Sequence, residues 1–216
     1  MSKSPHDFIV IEGPLGVGKT TLAQRLAKSF GSDLLLEDAD ENPFMERFYK
    51  EPQNVALQTQ LFFLFQRAKQ IEELQQSDMF QPVRVADFIL EKDRLFAELT
   101  LDDEEFKLYD QVYAHLSLVA PVPDLVIYLQ APVEVLLRRV AKRGRKYEQP
   151  LAADYLERLN EAYTRFFYNY NTSPLLIVNA AEIDFAENEE DYQLILDYVY
   201  KIQSGRHYLN PSQVVI

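Results

Sequence analysis

The chain has 216 residues, 47% of them apolar, which is enough for one compact core and too short for two full domains. Its formal net charge of −12 excludes a sequence-independent nucleic-acid binder, which needs a basic face to displace counterions. The absence of cysteine excludes disulfides, thiolate metal sites and a cysteine nucleophile, while the three histidines, His6, His115 and His207, are scattered and read as surface or interface residues.

The start, Met1 to Asp7, has no apolar run of the kind that precedes a cleavage site, and no later stretch approaches the length of a membrane span. The expectation is a cytoplasmic protein with no membrane partner. Phe8-Ile9-Val10-Ile11 reads as a strand, and Gly13-Pro14-Leu15-Gly16-Val17-Gly18-Lys19-Thr20 fits G-x-x-x-x-G-K-[ST], the loop whose backbone N–H groups and following helix dipole hold phosphate. Leu22, Leu26 and Ala27 give that helix an apolar face. Asp33 to Glu37 reads as a short buried strand ending in acids, followed by a loop marked by Asn42-Pro43.

Residues 55–76 form a long helix whose middle, Leu61 to Phe65, is apolar on every side, so the helix is expected in the core. Pro82 to Asp87 is a third strand, then come helices over 92–99 and 102–119, the second opened by Thr100-Leu101-Asp102 and stopped by Pro121 and Pro123. Asp124 to Leu129 is a fourth strand, 133–143 and 154–170 are helices, Leu175 to Val178 is a fifth strand, and 189–202 is the last helix, before an irregular tail at 210–213. Strands separated by helices mean a parallel α/β sheet with right-handed crossovers. With the phosphate loop after the first strand, the expected architecture is a three-layer α/β/α fold of the P-loop NTPase type, five-stranded, as a single domain over 1–216.

In such a sheet, chemistry gathers beyond the carboxyl ends of the strands. Lys19 is placed to reach the β- and γ-phosphates of ATP and Thr20 to offer its hydroxyl to Mg²⁺. Glu37 would sit beside the loop, where a carboxylate repels phosphate and is useful as a general base on an acceptor hydroxyl. The competing reading is a surface acid within Glu37-Asp38-Ala39-Asp40-Glu41. Asp87 ends the third strand as a magnesium-orienting acid does, or else caps a helix. Residues 138–145 hold five cations in eight positions, and Arg139 and Arg143, one turn apart, suit an anion between them. With Gly144 as a flexible point they read as a lid of about 139–150 closing over nucleotide, against the alternative of a solvated basic helix end. Gln60, with Leu57 and Leu64 on its face, either reads a nucleobase edge or meets a backbone group in the core.

From about Phe8 to Phe185 these residues resemble the deoxyribonucleoside kinase family, particularly its bacterial deoxyadenosine/deoxyguanosine kinases. The resemblance implies a homodimer that transfers the γ-phosphate of ATP to a deoxynucleoside 5′-hydroxyl. It implies a phosphate loop over Gly13, Gly16, Val17, Gly18, Lys19, Thr20 and Thr21, a base at Glu37, Tyr49 and Glu148 on the sugar 3′-hydroxyl, and Gln60 on the nucleobase. The pattern R-x-x-x-R-G-R maps to Arg139, Arg143, Gly144 and Arg145. Ile183-Asp184-Phe185 resembles the loop that holds the donor adenine, with Phe185 and Arg143 on its two faces. Many members carry E-R-S after the third strand, whereas Asp87-Phe88-Ile89 stands here, so the acid survives and the arginine is missing, with Lys92 or Arg94 as its replacement. By the same resemblance Asp93 is a base-reading acid and Phe96 a base-stacking ring, and the base leans to purine. A thymidylate-like nucleoside monophosphate kinase is the rival within the class, and a nucleotide-binding regulatory protein without catalysis the rival outside it.

Overall fold

A computed structural model of the chain describes residues 4–76, 84–116 and 120–211. Its centre is a sheet of six strands in the order β2 (Asp33–Leu35), β3 (Arg84–Ala86), β1 (Phe8–Glu12), β4 (Leu125–Gln130), β5 (Leu175–Asn179), β6 (Arg206–Leu209), every neighbouring pair parallel. The inner strands β1 (Phe8–Glu12), β4 (Leu125–Gln130) and β5 (Leu175–Asn179) are near-continuous apolar runs because both faces are covered by helices. β1 registers Val10 opposite Ala86 of β3 (Arg84–Ala86) on one side and Val126 of β4 on the other. The apolar stripe predicted for α1 (Lys19–Phe30) is buried through Leu22, Ala23, Leu26, Ala27 and Phe30, and the helix stops at Gly31 in the left-handed conformation.

Two edges differ from expectation. The sheet has six strands, not five: β6 (Arg206–Leu209) adds itself to β5, yet only Leu209 is buried and Tyr208 is exposed, so no apolar run announced it. At the other edge β2 (Asp33–Leu35) is shorter than predicted and not buried, with Leu34 36% exposed, because it pairs on one side only.

The segment expected as a loop after Glu37 contains α2 (Met45–Lys50), whose single apolar pair Met45 and Phe48 is too brief a pattern to read. Helix α3 (Ala56–Gln76) is present, but its apolar middle is not core throughout: Leu64 is fully buried while Phe65 is 53% exposed. It packs on α4 (Glu91–Thr100) and α5 (Asp103–Leu116), the latter capped by Asp102, whose Oδ1 accepts the N–H groups of Glu104 and Glu105. Residues 82–83 of the predicted third strand, 117–119 of the predicted helix, and 212–213 of the tail lie outside the described residues. Helices α6 (Val133–Arg143), α7 (Ala153–Asn169) and α8 (Glu189–Lys201) fall within a residue or two of their predicted bounds. His6 is buried rather than at the surface, its ring Nε2–H donating to the Val199 carbonyl at 2.9 Å.

Candidate active site

The phosphate loop leaves β1 at Glu12, which is fully buried and accepts the Gly13 N–H at 3.0 Å, the Ile89 N–H at 2.9 Å and the Tyr163 hydroxyl at 3.1 Å. A carboxylate at this depth is tolerable because each oxygen is occupied. Gly13 and Gly18 have φ of 149° and 112°, and a Cβ would lie 2.5 Å from the Leu129 carbonyl oxygen at the first and 2.9 Å from the Phe185 ring at the second. Only glycine therefore lets the loop close on β4 and on the segment after β5. Lys19 donates to the carbonyls of Gly13 and Pro14, the loop it would leave to meet phosphate. Burial and the nearby Lys92 ammonium push its pKa down, opposed by Glu12, Asp87 and Glu37.

Thr20, Asp87 and Glu37 form one connected unit. The Thr20 hydroxyl donates to Asp87 Oδ2 at 2.7 Å, and Asp87 Oδ1 accepts the Glu37 backbone N–H at 2.8 Å. Asp87 is thus neither a plain helix cap nor distant from the loop. A hydroxyl and a carboxylate in contact are the hard oxygen donors that suit Mg²⁺, which takes its remaining ligands from phosphate and water. Among the described residues no cluster of three or more His, Cys, Asp or Glu could hold a metal by itself.

Glu37 is not a loose surface acid. Arg67 reaches its Oε1 at 2.9 Å and Lys92 its Oε2 at 2.5 Å. Burial alone would raise its pKa, but the Arg67 guanidinium and the Lys92 ammonium outweigh that and hold the carboxyl well below the usual carboxylate range. Arg67 is 2% exposed and its other arm pairs with buried Asp93. Sequence reasoning missed Arg67. The available signal was its place seven residues after Gln60, two turns along one face of α3, with Phe63, Leu64 and Ile71 on that face. Of the two candidates for the missing arginine, Lys92 reaches Glu37, whereas Arg94 pairs with Glu98 and Asp110 at the surface. The Phe88 ring itself is buried, 5.4 Å from the Arg67 guanidinium.

One cavity brings most predicted residues together. Lys19, Thr20, Glu37, Tyr49, Gln60, Asp87, Asp93, Phe96, Arg143, Arg145 and Glu148 all line it, with Arg67 and Lys92. Gln60 donates to the Thr100 hydroxyl at 3.1 Å, so its core partner is a side chain and not a backbone group. Arg67 Nε and Asp93 Oδ2 are buried without a hydrogen-bond partner among the described residues, leaving one donor and one acceptor at this end of the cavity. Phe96 lies edge-on to Tyr163 and near the Lys92 ammonium. A second, more open groove between α4, α5 and α7 holds none of the phosphate-loop residues.

The segment expected to act as a lid packs against the cavity. Glu148 is buried and accepts both Nε and a terminal nitrogen of Arg143, at 3.2 and 2.5 Å. Arg145 and the Tyr147 hydroxyl both meet Asp40, and Tyr147 stacks on Tyr49 with ring centroids 6.0 Å apart. Burial first, then the neighbouring Tyr155 and Glu148, push the Tyr49 hydroxyl well above its ordinary pKa. Arg139 and Arg143 do not flank a common point: Arg139 donates to the carbonyls of Val17 and Ala180 at 3.0 and 2.7 Å, while Arg143 is committed to Glu148. Phe185, expected with Arg143 on the two faces of the donor adenine, is buried against Gly18. Asp184 is exposed and anchors its own turn, its backbone N–H donating to Asp191 at 2.6 Å. Arg25, also missed, ties this turn to α1: it stacks on Tyr192 at 4.0 Å and donates to the carbonyls of Phe185 and Ala186.

Known proteins resemble this chain in sequence and in fold. The family model described as deoxynucleoside kinase matches residues 9–203. A deoxyguanosine kinase of Bacillus subtilis (strain 168) is 36% identical over 203 residues, covering 90% of this chain and 97% of its own. A deoxyadenosine kinase of Lactobacillus acidophilus is 31% identical over 194 residues, covering 83% and 88%. Among solved structures, the deoxyadenosine kinase from M. mycoides with dCMP and a flexible dCDP superposes with a TM-score of 0.79 at 27% identity, over 90% of this chain and all of that one. The same enzyme with bound dATP gives a TM-score of 0.76 over 89% and 98%.

Proposed function

The chain belongs to the deoxynucleoside kinase family, and on that premise we propose that it transfers the γ-phosphate of ATP to the 5′-hydroxyl of a purine deoxyribonucleoside. In this reading the triphosphate lies over Gly13 to Thr21 with Lys19 on its terminal oxygens. Mg²⁺ would be held by Thr20 and Asp87, and it supplies neutralisation of phosphate charge. Glu37 accepts the 5′-hydroxyl proton as the 5′ oxygen takes the phosphoryl group. Arg143 and Arg145 exchange their carboxylate partners for phosphate oxygens, and Arg139 holds the loop through Val17.

The base sits by Gln60, Asp93 and Phe96, with Tyr49 and Glu148 at the 3′-hydroxyl. Asp184 and Phe185 border the donor base. The unpartnered Arg67 donor and Asp93 acceptor suit a nucleobase edge that carries both an acceptor and a donor. The purine lean rests on the deoxyguanosine and deoxyadenosine kinases among the relatives.

The observation that carries the reading is the continuity from the Thr20 hydroxyl through Asp87 to Glu37, which ties a proton acceptor to the tip of the phosphate loop. A monophosphate acceptor fits less well: Arg67 is held at both ends by Glu37 and Asp93, and the Glu37 carboxylate beside it repels an acceptor phosphate. A homodimer belongs to the same proposal, and α3 and α5, which pack together and expose Phe65 and Leu108, offer a face for it. A cytoplasmic setting is likewise proposed; among the described residues no helix is long and apolar enough to cross a membrane.

The test is a panel of the four deoxynucleosides and their monophosphates with ATP and Mg²⁺, read as product formed. Deoxyadenosine or deoxyguanosine should be phosphorylated fastest. Product from the monophosphates alone would replace the proposal with a monophosphate kinase, and inactivity with intact ATP binding would replace it with a regulatory nucleotide-binding protein.

A further inference from the structure

Lys92 stands in the first turn of α4, 4% exposed, with its ammonium between two carboxylates: Glu37 Oε2 at 2.5 Å and Glu12 Oε1 at 3.6 Å. The other oxygen of Glu12 holds the N–H of Gly13, so Lys92 joins the first glycine of the phosphate loop to the carboxylate at the acceptor end. It also lines the same cavity as Lys19. Two ammonium groups therefore share the end of the cradle where a terminal phosphoryl group would leave.

Glu37 has a cation on each oxygen, Arg67 on Oε1 and Lys92 on Oε2. The two cations differ in freedom. Arg67 is fixed at both ends, to Glu37 and Asp93, on a buried planar fork. Lys92 has a compact charge on a flexible four-carbon stem, with three donors and a longer, weaker second contact to Glu12.

We propose that Lys92 is a second cation of the phosphoryl-transfer site, which holds Glu37 before the reaction and moves onto the phosphoryl group as it arrives; this rests on the deoxynucleoside kinase reading above. In the step, the 5′ oxygen forms a bond to the γ-phosphorus, and the bond from that phosphorus to the β,γ-bridging oxygen breaks. ADP leaves with the electron pair, and the hydroxyl proton passes to Glu37. Negative charge thus disappears from Oε2 while the new 5′-phosphate forms nearby. An ammonium that has lost the nearer of its two carboxylate partners in a low-dielectric site gains by following the charge. Arg67, still bound to Asp93, stays behind.

The experiment compares Lys92→Met, Lys92→Gln and Lys92→Arg with the parent enzyme, measuring kcat and, by calorimetry, the affinities of a deoxynucleoside and of its 5′-monophosphate. Lys92→Gln keeps an N–H donor for buried Glu12, so a readable variant remains if the methionine variant does not fold. The methionine and glutamine variants should lose about 10- to 100-fold in kcat and in monophosphate affinity, with deoxynucleoside affinity within about threefold, and arginine should restore part of both. Equal loss of both ligands, or monophosphate affinity unchanged, would overturn the proposal and leave Lys92 as a counter-ion of Glu12 and Glu37. Should the parent enzyme phosphorylate no deoxynucleoside, the underlying reading fails and Lys92 falls with it.

Discussion

Replacing Arg67 by methionine removes one guanidinium that two carboxylates share. Asp93, 3% exposed, keeps no cation, while Glu37 is less buried and retains Lys92, so most of the cost falls on Asp93. Breaking a buried ion pair from one side costs about 3–5 kcal/mol, which for a chain of this size lowers the thermal midpoint by about 6–20 °C. Adding Asp93→Asn neutralises the orphaned charge, and the double variant should recover at least about 1 kcal/mol relative to simple additivity. Urea denaturation of the four proteins of the cycle measures this.

Acid titration of the same proteins gives an independent reading. The folded pKa of Glu37 is depressed, so its contribution is complete above the unfolded carboxyl value and is lost as pH falls toward the folded one. Arg67→Met should therefore flatten the acid-side fall in stability below about pH 5. A destabilisation under about 1 kcal/mol for Arg67→Met, or strict additivity with Asp93→Asn, would refute the buried chain from Glu37 through Arg67 to Asp93.

Arg25→Met should raise the KM for ATP about 10-fold and leave the deoxynucleoside KM alone, since it frees the turn at Phe185 and Ala186; an equal rise in both would show general damage instead. Tyr147→Phe, which removes the hydroxyl from Asp40 while keeping the stack on Tyr49, should raise the deoxynucleoside KM about 2- to 10-fold, and an unchanged KM would remove the Asp40 contact from lid closure. Phe65→Lys should convert a dimer to monomers in sedimentation with little change in thermal midpoint; a dimer that survives it places the interface elsewhere.

The phosphate loop, Glu37 and Asp87 were legible in the sequence because each is local: an apolar run ends and the next residues must do something other than pack. The same holds for β1, β4 and β5, whose burial on both faces leaves uninterrupted apolar runs. Arg67 was hidden because helical periodicity places it two turns from Gln60 but does not tell which neighbours that face meets; Glu37 and Asp93 come from β2's end and α4. Lid partners were hidden for the same reason: Glu148 and Asp40 are 108 positions apart by their numbers, yet Arg145 lies between them. β6 and the exposed Phe65 reverse the usual signals. One is a polar strand held by backbone pairing to β5, and the other an apolar residue on an open helix face.

The most direct test of the account is turnover by Glu37→Gln. The amide keeps the shape and the backbone bond to Asp87 but cannot take the proton, so ATP binding should stay close to that of the parent while deoxynucleoside phosphorylation falls about 10²- to 10⁴-fold. Turnover within a few-fold of the parent would contradict the assignment of Glu37 as the base.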